Sequence, residues 1–144
     1  MSRLQRAALL TVLLTTLAVA PAGAVKTRTD TVTASVHKTG RSGTAFVYKG
    51  TVHSKVFGEG KVVEKLYGNL KGTFVITYAH GKVRGASTAH AKAAPGGGVN
   101  VTGTYRLTGG TGRYDKISGS GTFTGHSDTT LQKATFRQHG KVTY

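Results

Sequence analysis

Cysteine is absent from the 144 residues, and acids are scarce: Asp30, Glu59, Glu64, Asp115 and Asp128 are the whole set. Without cysteine there is no disulfide framework and no thiolate metal site, so the fold rests on packing and backbone pairing. With five acids against 20 Lys and Arg, the chain carries a formal net charge of +15. Such a surface attracts polyanions: nucleic acid, anionic lipid, acidic glycan or phosphate-rich cell wall. Also missing are any helical period over a useful length after residue 24, any linker longer than a turn, and any second long apolar run.

The one apolar run is "AALLTVLLTTLAVA" (7–20), preceded by Arg3 and Arg6 and followed by "PAGA" (21–24). It is short for a membrane span, which needs about 20 residues. A basic start, a short apolar stretch and Ala22-x-Ala24 fit a signal peptide cleaved after Ala24. The expected protein is therefore exported, to the extracellular space or the cell envelope. Residues 25–144 form one domain, with no transmembrane span once the leader is gone.

What fills that domain is alternation. "TDTVTASVHK" puts Val32, Ala34 and Val36 on one face and Thr31, Thr33 and Ser35 on the other. "GTFVITYAHGKV" and "VNVTGTYRL" repeat the pattern, which is that of half-buried antiparallel strands. Glycine-bearing turns separate the runs at 39–43, 57–61, 79–82, 94–98 and 109–113. Strands are expected near 29–38, 43–56, 60–67, 71–79, 82–93, 98–107, 117–127 and 130–143. This predicts an all-β fold, an eight-stranded antiparallel closed barrel, with a β-sandwich as the alternative. A recurring Gly-Thr-aromatic, as in "GTF" (72–74 and 121–123) and "GTY" (103–105), suggests strand glycines covered by aromatic rings.

The glycine-rich stretch "GGTGRY" (109–114) is not a phosphate cradle, because it returns to strand alternation within a few residues and no helix follows to carry the amides. It reads as a structural corner built on Gly109, Gly110 and Gly112. The longer segment "YRLTGGTGRYDKISGSGTFTG" (105–125) resembles one shared by allene oxide cyclases and plant dirigent proteins. In those proteins a strand enters Gly-Gly-Thr/Ser-Gly-aromatic, a short turn, and then a strand containing glycine. Gly109, Gly110, Thr111, Gly112, Arg113, Tyr114, Gly119 and Gly121 match. The resemblance implies an eight-stranded barrel with an apolar interior cavity, a small apolar ligand, and isomerase- or cyclase-like chemistry.

Strand parity names the residues that would line such an interior: Tyr48, Phe74, Tyr78, Tyr105 and Phe123. Among the acids only Glu64, in "KVVEKLY", shares the parity of Val62 and Leu66, which makes it the candidate catalytic group. Glu59 falls in a "GEGK" turn facing solvent. Asp30 and Asp128 stand at strand starts, where bonds to local backbone are common, and Asp115 sits in the corner. His37, His53, His80, His90, His126 and His139 lack the spacing of a ligand set, so neither metal nor cofactor is expected. The other function class open to this chain is a cationic envelope or polyanion-binding protein using the barrel as scaffold. Nothing argues for recognition of a specific nucleic acid.

Overall fold

The computed structural model describes residues 24–144, so the expected leader lies, except for Ala24, outside the described residues. Eight strands follow one another: β1 (Thr27–Ser42), β2 (Ala45–Ser54), β3 (Gly58–Leu66), β4 (Lys71–Tyr78), β5 (Gly81–Ala93), β6 (Val99–Gly110), β7 (Ser118–Ser127) and β8 (Lys133–Thr143). Each pairs antiparallel with the next, and β8 returns to β1 to close a barrel. The closing seam runs unbroken from Thr27↔Thr143 to His37↔Lys133. Closure leaves no free edge and rules out the open sandwich.

The alternation in the sequence becomes the two faces of the wall. On β6, Tyr105 is buried while Asn100, Thr102, Thr104 and Arg106 on the opposite face are exposed. The outer wall is therefore threonine and cation, not the outward apolar band of a barrel that sits in lipid. Among the described residues no helix is long and apolar enough to cross a membrane.

An eight-stranded barrel has an interior barely wide enough for its own side chains. This chain fits large rings by placing a glycine opposite each. Phe74 faces Gly85, Phe123 faces Gly103, Phe136 faces Gly125 and Tyr78 faces Gly60 on neighbouring strands. A methyl group on any of these glycines would stand less than 3.0 Å from the ring opposite. The sheet bends where the glycine is, and the ring covers the bare backbone.

The corner lies a little later than the sequence suggested. Gly109 and Gly110 still belong to β6, and the reversal is made by residues 111–117, with a short 3-10 turn at Gly112–Tyr114. It docks on the β4–β5 turn by backbone contact. Thr111 N donates to Lys82 O at 2.9 Å and Arg113 N donates to His80 O at 3.0 Å. Gly112 adopts φ +59°, and a side chain there would strike His80 O. The corner spends the amides of Thr111 and Arg113 on that backbone contact, and it delivers Tyr114 and Ile117 into the core, where both are buried.

Tyr114 joins Phe57, Tyr78 and Tyr144 in an aromatic plug, with ring centroids 4.9 to 6.4 Å apart. Asp30, expected to serve its own local backbone, is instead buried beneath this plug. It accepts from Ser54 Oγ at 2.7 Å and from Val56 N at 3.2 Å, and Ser54 Oγ also accepts from Phe57 N. That network fixes the turn carrying Phe57. One end of the barrel is therefore sealed.

Two turns also differ from expectation. β1 continues through a bulge between Lys38 and Gly40, so its hairpin turn is Gly43-Thr44. The β2–β3 turn covers residues 55–57, which places Glu59 in β3. There its carboxylate pairs with His53 across the strands.

Candidate functional site

The β1–β2, β3–β4, β5–β6 and β7–β8 connections lie at the end opposite the plug, because alternate turns of an antiparallel meander share an end. Here the interior is not filled. A cavity of about 190 Å³ is walled by Leu66, Leu70, Val99, Val101, Phe123 and Phe136, with Tyr48, Glu64 and Ser87 also on it. Leu131 and Ala91 belong to the same wall and are exposed, so the cavity reaches the surface.

Glu64 stands where this cavity meets a deeper void of about 40 Å³. Its neighbours across the ladder are Tyr48 on β2 and Phe74 on β4. The bare backbone of Gly72 makes room for the carboxyl: Glu64 Oε1 lies 3.2 Å, and Ser87 Oγ 2.7 Å, from where a side chain on Gly72 would begin. Burial pushes the Glu64 pKa up to about 7, with no cation or hydrogen bond offsetting it. At neutral pH a large share of this group is protonated, so it offers an O–H donor into an apolar chamber.

The mouth is shaped by two leucines in an unusual conformation. Leu70 (φ 59°) and Leu131 (φ 56°) both occupy the left-handed region, and both line the cavity. Each is tied down. Leu70 O accepts from Ala89 N at 2.9 Å, and Leu131 O accepts from the Tyr48 hydroxyl at 3.1 Å. Burial first, then the charges of Glu64 and Asp128, hold the Tyr48 phenol above its usual range, which keeps it a donor. Strained residues concentrated at a pocket rim fit a site whose shape is over-determined by its surroundings.

No family model, curated protein or solved structure matches this chain. The chemistry of the cavity is read from its own residues.

The side chains expected inside are inside, but at different depths. Tyr48, Phe123 and Glu64 line the open cavity; Phe74 faces the deeper void. Tyr78 and Tyr105 sit in the sealed half, against a void of only about 20 Å³. Gly109, Gly110 and Gly112 are at the sealed end too, remote from the mouth. The sequence reading did not name Ser87, Gly72, Leu70, Leu131 or Phe136. Ser87 and Gly72 share the inward parity of Phe74 and Ala89, a signal that could have named them. The six histidines are all exposed, and among the described residues no group of three His, Asp or Glu could hold a metal.

Proposed function

We propose that this protein binds a small apolar molecule in the open half of the barrel, with one polar group of the ligand directed at Glu64. The observation that carries this is a half-buried carboxyl with no hydrogen-bond partner, set in a mostly apolar cavity of about 190 Å³ that reaches the surface. A dry cavity of about 150 Å³ holds a benzene ring, so a single-ring or short branched ligand matches the size. A nucleotide cofactor does not. The resemblance of residues 105–125 to allene oxide cyclases and dirigent proteins supports the same reading. An isomerase- or cyclase-like step on such a ligand would fall to Glu64, which near its pKa both gives and takes a proton at neutral pH.

Export is part of the proposal. The mature chain is expected to begin at Val25, and N-terminal sequencing of secreted protein tests that. For the ligand, protein purified from its producing cells is denatured and extracted, and the extract is analysed by mass spectrometry. A lipophilic compound in stoichiometric amount supports the proposal. An empty extract, together with no uptake of any small apolar probe, removes it.

A second reading, contact with a polyanionic surface, is favoured by the outer wall. Lys49, Lys61, Lys65, Arg84, Arg106 and Lys141 are all exposed there, and the nearby acid Glu59 is already claimed by His53. Heparin retention that falls steeply with salt supports it.

A further inference from the structure

The two ends of the barrel differ in a way that charge alone does not explain. Cations surround both in similar number: Lys26, Arg28, Lys55, Lys82, Arg113 and Lys116 stand near the plug, while Lys38, Arg41, Lys65, Lys71, Lys92 and Lys133 ring the mouth. Exposed large apolar side chains at the loops do differ. Tyr67 (38% exposed) and Leu131 (46%) project from the β3–β4 and β7–β8 connections, both at the mouth. At the sealed end the rings are turned inward; Tyr114 is 3% exposed, and Phe57 and Tyr144 pack against the core. Val25 is exposed there, on the segment before β1.

The rim cations are free to meet an anion. Asp128 is the one carboxylate in the mouth loops, and it is spent on its own turn, accepting from Gln132 N at 2.8 Å. On the β1–β2 hairpin, Lys38 and Arg41 both lie against the Phe46 ring, 4.2 and 4.4 Å from its centroid. The ring holds two like charges together without neutralising either. Apolar tips inside a ring of unpaired cations, around an opening into an apolar chamber, match the layering of an anionic bilayer: phosphate outside, hydrocarbon beneath.

We infer that the open end of the barrel docks on an anionic membrane surface, with Tyr67 and Leu131 entering the headgroup layer and the surrounding Lys and Arg on lipid phosphates. Docking in this orientation faces the cavity toward the hydrocarbon, from which an apolar ligand would pass without crossing water. The inference rests on the charge half of the preceding proposal, narrowing it to one surface and one partner. It does not depend on the cavity being filled.

Because the chain contains no tryptophan, a single one reports its own surroundings. Leu131→Trp and Lys116→Trp variants of the full chain are mixed with vesicles of phosphatidylcholine alone, or with a third phosphatidylglycerol. Expected is a blue shift of Leu131→Trp fluorescence on the anionic vesicles only, reversed by salt, with Lys116→Trp unmoved. In co-sedimentation, Lys71→Gln and Lys133→Gln should each lower partitioning about fivefold. Tyr67→Ser with Leu131→Ser should lower it further, while Arg28→Gln with Lys116→Gln, at the sealed end, lowers it less than Lys71→Gln alone. Unaltered thermal midpoints certify that the variants are folded. Equal shifts at both tryptophans, or heparin retention with no vesicle binding, would overturn the inference. In the second case the general polyanion reading survives, and uptake of a small probe without vesicles reports on the cavity separately.

Discussion

The ring of Phe74 occupies the space that a side chain on Gly85 would need; the two stand directly opposite on β4 and β5, and a methyl group on Gly85 would lie within 3.0 Å of the ring. The same arrangement recurs at Phe123 and Gly103 and at Phe136 and Gly125. Aromatics and glycines in this barrel therefore act as pairs, and the wall's curvature and the room left in the cavity depend on both members.

Gly85→Val is expected to destabilise the protein by about 2 kcal/mol, the scale of overpacking in a closed core. Pairing it with Phe74→Ala should recover part of that loss, since the two changes share one volume. Chemical denaturation of the two single variants and the double variant measures the coupling. Strictly additive losses would show that ring and glycine do not compete for space.

The corner makes a separate prediction at the sealed end. Gly110 has Lys82 O and Tyr114 O on the side where a Cβ would point, so Gly110→Ala forces backbone apart and should cost more than Gly40→Ala, which faces open space. Tyr114→Ala, which leaves a hole in the plug, should cost about 3 kcal/mol. Thermal unfolding ranks the three. A Gly110→Ala midpoint equal to that of Gly40→Ala would mean that the corner is not held against the β4–β5 turn.

Much of the fold was legible because a period of two declares which side of a sheet each residue faces. That is why the closed eight-stranded barrel and the inward position of Glu64 could be read from "KVVEKLY" and its neighbours. Depth was not legible. Tyr78 and Phe123 share an inward parity, yet the stagger of the strands sends one to the plug and the other to the cavity. Glu59 was misplaced because Gly58-Glu59-Gly60 has the composition of a turn, while register with His53 keeps it in β3. Leu70 and Leu131 escaped notice because leucine rarely adopts positive φ, and no local pattern announces it.

Glu64 gives the protein a specific pH dependence. Between pH 4.5 and about 7 the unfolded chain loses this proton while the folded chain retains it. Stability from this group is thus fully present below the window and is lost as pH rises through it, by about 3 kcal/mol in all. Glu64→Gln, which cannot ionise, should lack that decline. Unfolding free energies of both proteins at pH 5 and pH 8 test this. Parallel behaviour would place the carboxyl in water rather than in the barrel.

The account turns on whether the open half of the barrel admits a ligand. Methyl-labelled protein titrated with acetophenone, an apolar ring bearing one hydrogen-bond acceptor, reads this directly by NMR. The predicted result is saturable shifts confined to the cavity-lining methyls of Val36, Leu66, Leu70, Val99, Val101 and Leu131, abolished when Leu66→Trp fills the chamber in a protein that remains folded. Methyl signals that stay still through the titration, or that drift without saturating in both proteins alike, would contradict it.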